Sequence, residues 1–149
     1  MGGAGTRPVP RFMVYGALGW CAEVAFTGLK GFVRARDPRL PGRTSLWMFP
    51  IYGLVRLLFE PAHDLMRDRV PAAARAAVYA AGFMAVEYAT GRALRAAVGR
   101  APWDYSHVRL NLDGLTRLDY APLWAAAGLA LERVHDRLVG RGRGGGSGD

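Results

Sequence analysis

The sequence holds one cysteine, Cys21, in 149 residues, so no intrachain disulfide can form and the redox compartment stays open. Blocks of like charge are missing too. Basic residues exceed acidic ones by eight and the pI is near 10.5, yet no five-residue window is a solid run of one sign. The basic residues sit in the short gaps between apolar runs, which fits an anionic membrane surface, and no nucleic-acid partner is expected. Catalytic signatures are absent as well. Without G-x-x-x-x-G-K-[ST] there is no Walker site for ATP, and C-x-x-C, H-E-x-x-H and G-x-S-x-G do not occur. The chain therefore reads as non-enzymatic, with Cys21 a small packing residue rather than a nucleophile. Finally, no uncharged stretch reaches the roughly 18 residues of an unbroken membrane span. The longest, Phe12–Ala22, Thr44–Val55, Ala76–Val86 and Tyr120–Leu131, hold 11, 12, 11 and 12 residues.

What is present is apolar and segmented. Half of the chain is hydrophobic (51%), concentrated in four runs: Pro10–Val33, Ser45–Met66, Pro71–Gly99 and Tyr120–Val139. Each is too long for a strand and rich in Ala, Leu, Gly and Met, which predicts helices. With one ionisable residue allowed, Phe12–Leu29 lengthens to 18 residues around Glu23. Thr44–Phe59 and Ala76–Gly91 lengthen to 16 each, around Arg56 and Glu87. Trp47, Trp103, Tyr105, Tyr120 and Trp124 lie near run ends, as an interfacial belt requires. A soluble four-helix bundle is the rival, but it needs a polar face every 3.6 residues, and "YAPLWAAAGLAL" has none. The expected fold is all-α: an integral membrane four-helix bundle in a lipid bilayer, spanning residues 10–139. Unstructured glycine-rich tails are expected over 1–9 and 140–149.

The chain matches itself. Shifted by 64 residues, Arg11, Val14, Tyr15, Ala17, Glu23 and Ala25 fall on Arg75, Val78, Tyr79, Ala81, Glu87 and Ala89. Shifted by 72, Gly42–Asp64 overlies Gly114–Asp136 with eight identities in 23 positions. These are Gly42/114, Thr44/116, Leu46/118, Pro50/122, Leu57/129, Glu60/132, His63/135 and Asp64/136. Chance gives roughly one or two at ordinary residue frequencies. A tandem duplication of a helical hairpin is expected, residues 10–70 and 71–139, in the parallel 2+2 arrangement of membrane repeats.

Each run then carries one glutamate. An intramembrane acid is costly and turns inward, so Glu23, Glu60, Glu87 and Glu132 with Arg56 form a candidate polar core. Arg56 lies at i, i+4 from Glu60, and its repeat counterpart is Gly128. Glu60-x-x-His63 and Glu132-x-x-His135 put a carboxylate and an imidazole one turn apart. With Glu23 and Glu87 from the other helices, they match the pattern by which helical bundles hold two iron or manganese ions. A divalent transition metal on Glu23, Glu60, His63, Glu87, Glu132 and His135 is therefore the alternative to a structural core. His63 and His135 can also complement helix C-termini. The densest connector contains Trp103, Asp104, Tyr105 and Ser106, read either as an interfacial anchor with Asp104 capping a turn or as a lid over the core.

"PWDYS" followed by "GLTRLDYAPLW" resembles the vertebrate transmembrane protein 229 family and its bacterial relatives labelled type IV ABC-transporter proteins. The likeness runs from about Arg11 to Leu138. It includes "GWCAE" at Gly19–Glu23, "PGRTS" at Pro41–Ser45, Ile51-Tyr52-Gly53, Glu60, "EYATG" at Glu87–Gly91 and Glu132. The resemblance implies a multi-pass protein of the cell membrane. A transporter-like or complex-forming role is expected, as a homo-oligomer or with another membrane protein, because four short spans make a poor pore alone.

Overall fold

The computed structural model describes residues 8–140. The expected tails, 1–9 and 140–149, lie outside the described residues apart from Pro8, Val9 and Gly140. Pro8 and Val9 already belong to the first helix.

The chain is mostly helical. Helix α1, Pro8–Ala35, opens on prolines, whose missing N–H groups cost nothing in a first turn. It stops before Asp37-Pro38, where Arg36 takes a φ of 54°. The run expected as one helix over Ser45–Met66 is two, α2 (Met48–Gly53) and α3 (Val55–Met66). At the break the Leu54 N–H donates to both the Pro50 and Ile51 carbonyls, at 3.1 Å each, tightening the turn. Helix α4, Ala72–Val98, follows Pro71 and ends on Gly99 in the left-handed conformation at φ 82°. Helix α5, Ala121–Leu138, carries a proline in its first turn.

Between α4 and α5 lies an element the hydrophobic runs did not indicate. Strands β1 (Asn111–Leu112) and β2 (Thr116–Arg117) pair antiparallel, Asn111 opposite Arg117 and Leu112 opposite Thr116. Asp113, Gly114 and Leu115 connect them; Asp113 and Gly114 take φ of 53° and 69°, and the Leu115 N–H closes the turn on the Leu112 carbonyl at 2.9 Å. A 3-10 turn, Leu118–Tyr120, leads into α5.

The described chain divides at the Glu60–Pro61 bond into two units, residues 8–60 and 61–140. In the first, α1 packs on α2, with Gly19 against the Tyr52 side chain and Gly53 against the Phe12 ring. In the second, α4 packs on α5, with Gly128 against Tyr79, and the hairpin's Leu115 lies on Gly91. Small residues at helix contacts let the backbones approach closely.

The interior mixes apolar and polar side chains, with Val55, Phe59, Ala80 and Leu94 buried beside polar groups. Glu60, His63, Thr116 and His135 are buried, and Tyr15, His63, His135 and Leu115 are the largest fully buried side chains. Met13, Leu18, Val24, Phe26, Leu29, Phe32 and Val33 of α1 are exposed, as are Leu57, Leu58 and Leu65 of α3. Among the described residues, one helix is long and apolar enough by composition to cross a membrane, Arg11–Ala35 in α1.

Candidate functional site

In the first unit the polar groups gather on Glu60, which is 3% exposed. Arg11 and Tyr15 lie one turn apart on α1, and Arg56 and Glu60 one turn apart on α3, so two helical faces supply the cluster. The Tyr15 hydroxyl donates to Glu60 Oε1 at 2.9 Å. Arg11 and Arg56 both place Nη1 on Oε2, at 3.2 and 3.0 Å.

The second unit builds the same motif from the matching positions. Arg75 and Tyr79 lie one turn apart on α4 and meet Glu132 of α5. Arg75 grips the carboxylate with Nε on Oε1 at 2.6 Å and Nη2 on Oε2 at 3.0 Å, a two-pronged ion pair. Its Nη1 donates to the Arg67 and Val70 carbonyls, tying down the turn after α3. The Tyr79 hydroxyl donates to Glu132 Oε1 at 2.8 Å. Where the first unit has Arg56, this one has Gly128 pressed on Tyr79.

The histidines complete the second unit. His63 Nδ1 lies 3.0 Å from the Tyr79 hydroxyl and 3.4 Å from Glu132 Oε1. Its Nε2 lies 3.5 Å from Asp136, and Arg67 closes on the same carboxylate at 2.8 Å. His135 Nε2 reaches Asp64 at 3.2 Å. Each histidine thus faces the aspartate that follows the other, and the rings meet edge to face with centroids 5.4 Å apart. Both rings are almost fully buried, and both lie in the last turns of their helices, α3 and α5.

Glu23 and Glu87 stand elsewhere. The Thr44 hydroxyl donates to Glu23 at 2.8 Å, and the Tyr52 hydroxyl bonds to it as well. Glu87 accepts from the Thr116 hydroxyl of β2 and from Tyr105 at 3.1 Å. Thr44 and Thr116 are again matched positions. Glu87 lies 12 residues beyond Arg75 on one helix, about 18 Å along its axis at 1.5 Å per residue. The glutamates therefore do not converge within this unit. Among the described residues, no three His, Cys, Asp or Glu side chains gather in a way that could hold a metal ion. Glu60 and Glu132 are taken up by arginine and tyrosine instead.

The Trp103–Ser106 connector folds onto α4 through Glu87. Trp103 Nε1 donates to the Leu115 carbonyl at 2.7 Å, and the Tyr105 N–H to the Gly114 carbonyl at 2.8 Å. Asp104 Oδ1 accepts the Ser106 N–H at 2.8 Å, capping the turn. That backbone N–H holds the Asp104 carboxyl below the ordinary aspartate range.

Sequence reasoning missed Arg11, Arg75, Tyr15, Tyr79, Thr44 and Thr116 as partners of the glutamates. All six were visible as polar identities between the repeats. A family model described as "Putative ABC-transporter type IV" matches residues 11–143. No solved structure matches the chain.

Proposed function

The chain belongs to the ABC-transporter type IV family, and on that premise we propose that it is a multi-pass component of the cell membrane, transporter-like or complex-forming. Its four spans are α1, the α2–α3 pair, α4 and α5. The observation that carries this reading is an apolar exterior around bonded acids: large apolar side chains of α1 and α3 are exposed, while Glu60 is buried and the half-buried Glu23, Glu87 and Glu132 are hydrogen-bonded. Composition undervalues α4, because Arg75 and Glu87 count as charges although each is bonded within the protein. At 28 and 27 residues, α1 and α4 extend about 42 and 40 Å, enough for a hydrocarbon layer of about 30 Å.

The polar core has two parts in this reading. Arg–Tyr–Glu sets hold Glu60 and Glu132, and hydroxyls hold Glu23 and Glu87. The duplication is supported by equivalent contacts at matched positions: Arg11/75 with Glu60/132, Tyr15/79 with the same acids, and Thr44/116 with Glu23/87. Four short spans enclose little volume, so a homo-oligomer or a second membrane protein completes the working unit. The likeness to the transmembrane protein 229 family fits the same topology.

Sidedness tests the reading. In a Cys21→Ser background, single cysteines replace Asp37, Asp68 or Ser106, and a membrane-impermeant maleimide is applied to sealed vesicles. Asp37→Cys and Ser106→Cys should label from one side and Asp68→Cys from the other. Labelling of all three from one side, or release of the protein by alkaline carbonate, contradicts four spans.

A further inference from the structure

We infer that the Arg11–Arg56 pair of the first unit is a binding site for a small oxyanion, a phosphate or carboxylate group. Two guanidinium groups share one carboxylate there, so the cluster carries one positive charge more than Glu60 balances. Each arginine reaches Glu60 Oε2 through its Nη1. The Nε atoms of Arg11 and Arg56 are buried and have no hydrogen-bond partner among the described residues. Buried donors without acceptors are rare in native proteins, and a buried excess charge is rarer.

The second unit shows what a closed set looks like. Arg75 uses Nε, Nη1 and Nη2, all on named acceptors, and Glu132 is held by this single arginine with Tyr79 and His63 beside it. Arg56 is therefore an addition to the shared motif, standing where the repeat has Gly128. The addition supplies the donors that remain unmatched.

An oxyanion answers both deficits. It brings the missing negative charge, and its paired oxygens suit the forked N–H geometry of guanidinium. The arginine side chains are 15% and 20% exposed, so each meets the surface in part while its Nε is covered. The same chemistry is offered by the phosphate of an anionic lipid headgroup and by a soluble phosphate or carboxylate.

The test uses the full chain, purified and delipidated in dodecyl maltoside. Phosphatidylglycerol, phosphatidylcholine, inorganic phosphate and acetate are titrated separately, with native mass spectrometry and the thermal unfolding midpoint as readouts. Wild type should bind phosphatidylglycerol or one of the two soluble anions, and bind phosphatidylcholine more weakly. Arg56→Gln should weaken that binding by about tenfold or more, the equivalent of one lost charge-assisted contact. Arg109→Gln, at an exposed arginine of the connector, should leave it unchanged. Arg56→Gly copies the other unit and should behave like Arg56→Gln; if it does not fold, Arg56→Gln carries the comparison. Binding of the lipid alone assigns a headgroup, and binding of phosphate or acetate alone assigns a soluble anion. Binding by none of them, or equal affinity in wild type and Arg56→Gln, overturns the site. The readout does not depend on the number of spans, so its failure is separable from failure of the membrane reading.

Discussion

Arg75→Gln is expected to destabilise the protein by about 3–5 kcal/mol, the cost of leaving one partner of a mostly buried ion pair alone. Glu132 would keep the Tyr79 hydroxyl but lose both prongs of the fork, and the Arg67 and Val70 carbonyls would lose their donor. The matched change, Arg11→Gln, should cost only roughly 1–2 kcal/mol, because Arg56 stays on Glu60 at 3.0 Å. Denaturant unfolding of both variants in one detergent measures the difference. Equal losses would mean that Arg56 does not compensate for Arg11, and that the two sets are not built as described.

A single methyl group should be nearly as damaging at the contact between α4 and α5. In Gly128→Ala the new Cβ would overlap the Cβ and ring of Tyr79, atoms that cannot swing away without moving α4. Overpacking of this kind costs about 1–3 kcal/mol, and here it also pushes the Tyr79 hydroxyl away from Glu132. Gly82→Ala supplies the control. It lies in α4 with nothing within 4 Å of the added carbon, so it should be neutral or stabilising by up to about 1 kcal/mol from helix propensity alone. Thermal midpoints of the two variants should therefore move in opposite directions, and a comparable fall in both would contradict the close approach.

Periodicity and composition located the helices well because long apolar runs ended by Pro and Gly are local signals. Pro71 before α4 and Gly99 after it bound that helix within a residue of the expected limits. The break at Leu54 was less visible, since it depends on a shared hydrogen bond rather than on a breaking residue. The hairpin did have a signal, Asp113-Gly114, but two-residue strands are too short to show alternation. For the polar residues the self-match carried the most information. It singled out Glu60, His63 and Asp64 with their counterparts, and it contained Arg11, Tyr15 and Thr44 as well. What it could not give was who bonds to whom. Tyr15 and Glu60 are 45 residues apart, and Arg75 and Glu132 are 57 apart. The metal pattern presumed that glutamates of one unit sit at one level, whereas Glu87 lies several turns from Arg75 and Glu132's other partners. Spacing within a helix was readable; height along a neighbouring helix was not.

The central claim, that the apolar exterior faces hydrocarbon while the acids are bonded inside, is tested most directly by spin-label accessibility in lipid vesicles. Nitroxides would replace Leu18, Val24, Leu58 or Val78 in turn, all exposed apolar positions on the proposed spans, with Asp68 labelled as the reference in the connector. The four apolar sites should be relaxed strongly by oxygen, which concentrates in the bilayer, and weakly by a water-soluble nickel chelate. Relaxation by the chelate at those sites equal to that at residue 68 would place these surfaces in water and contradict the account.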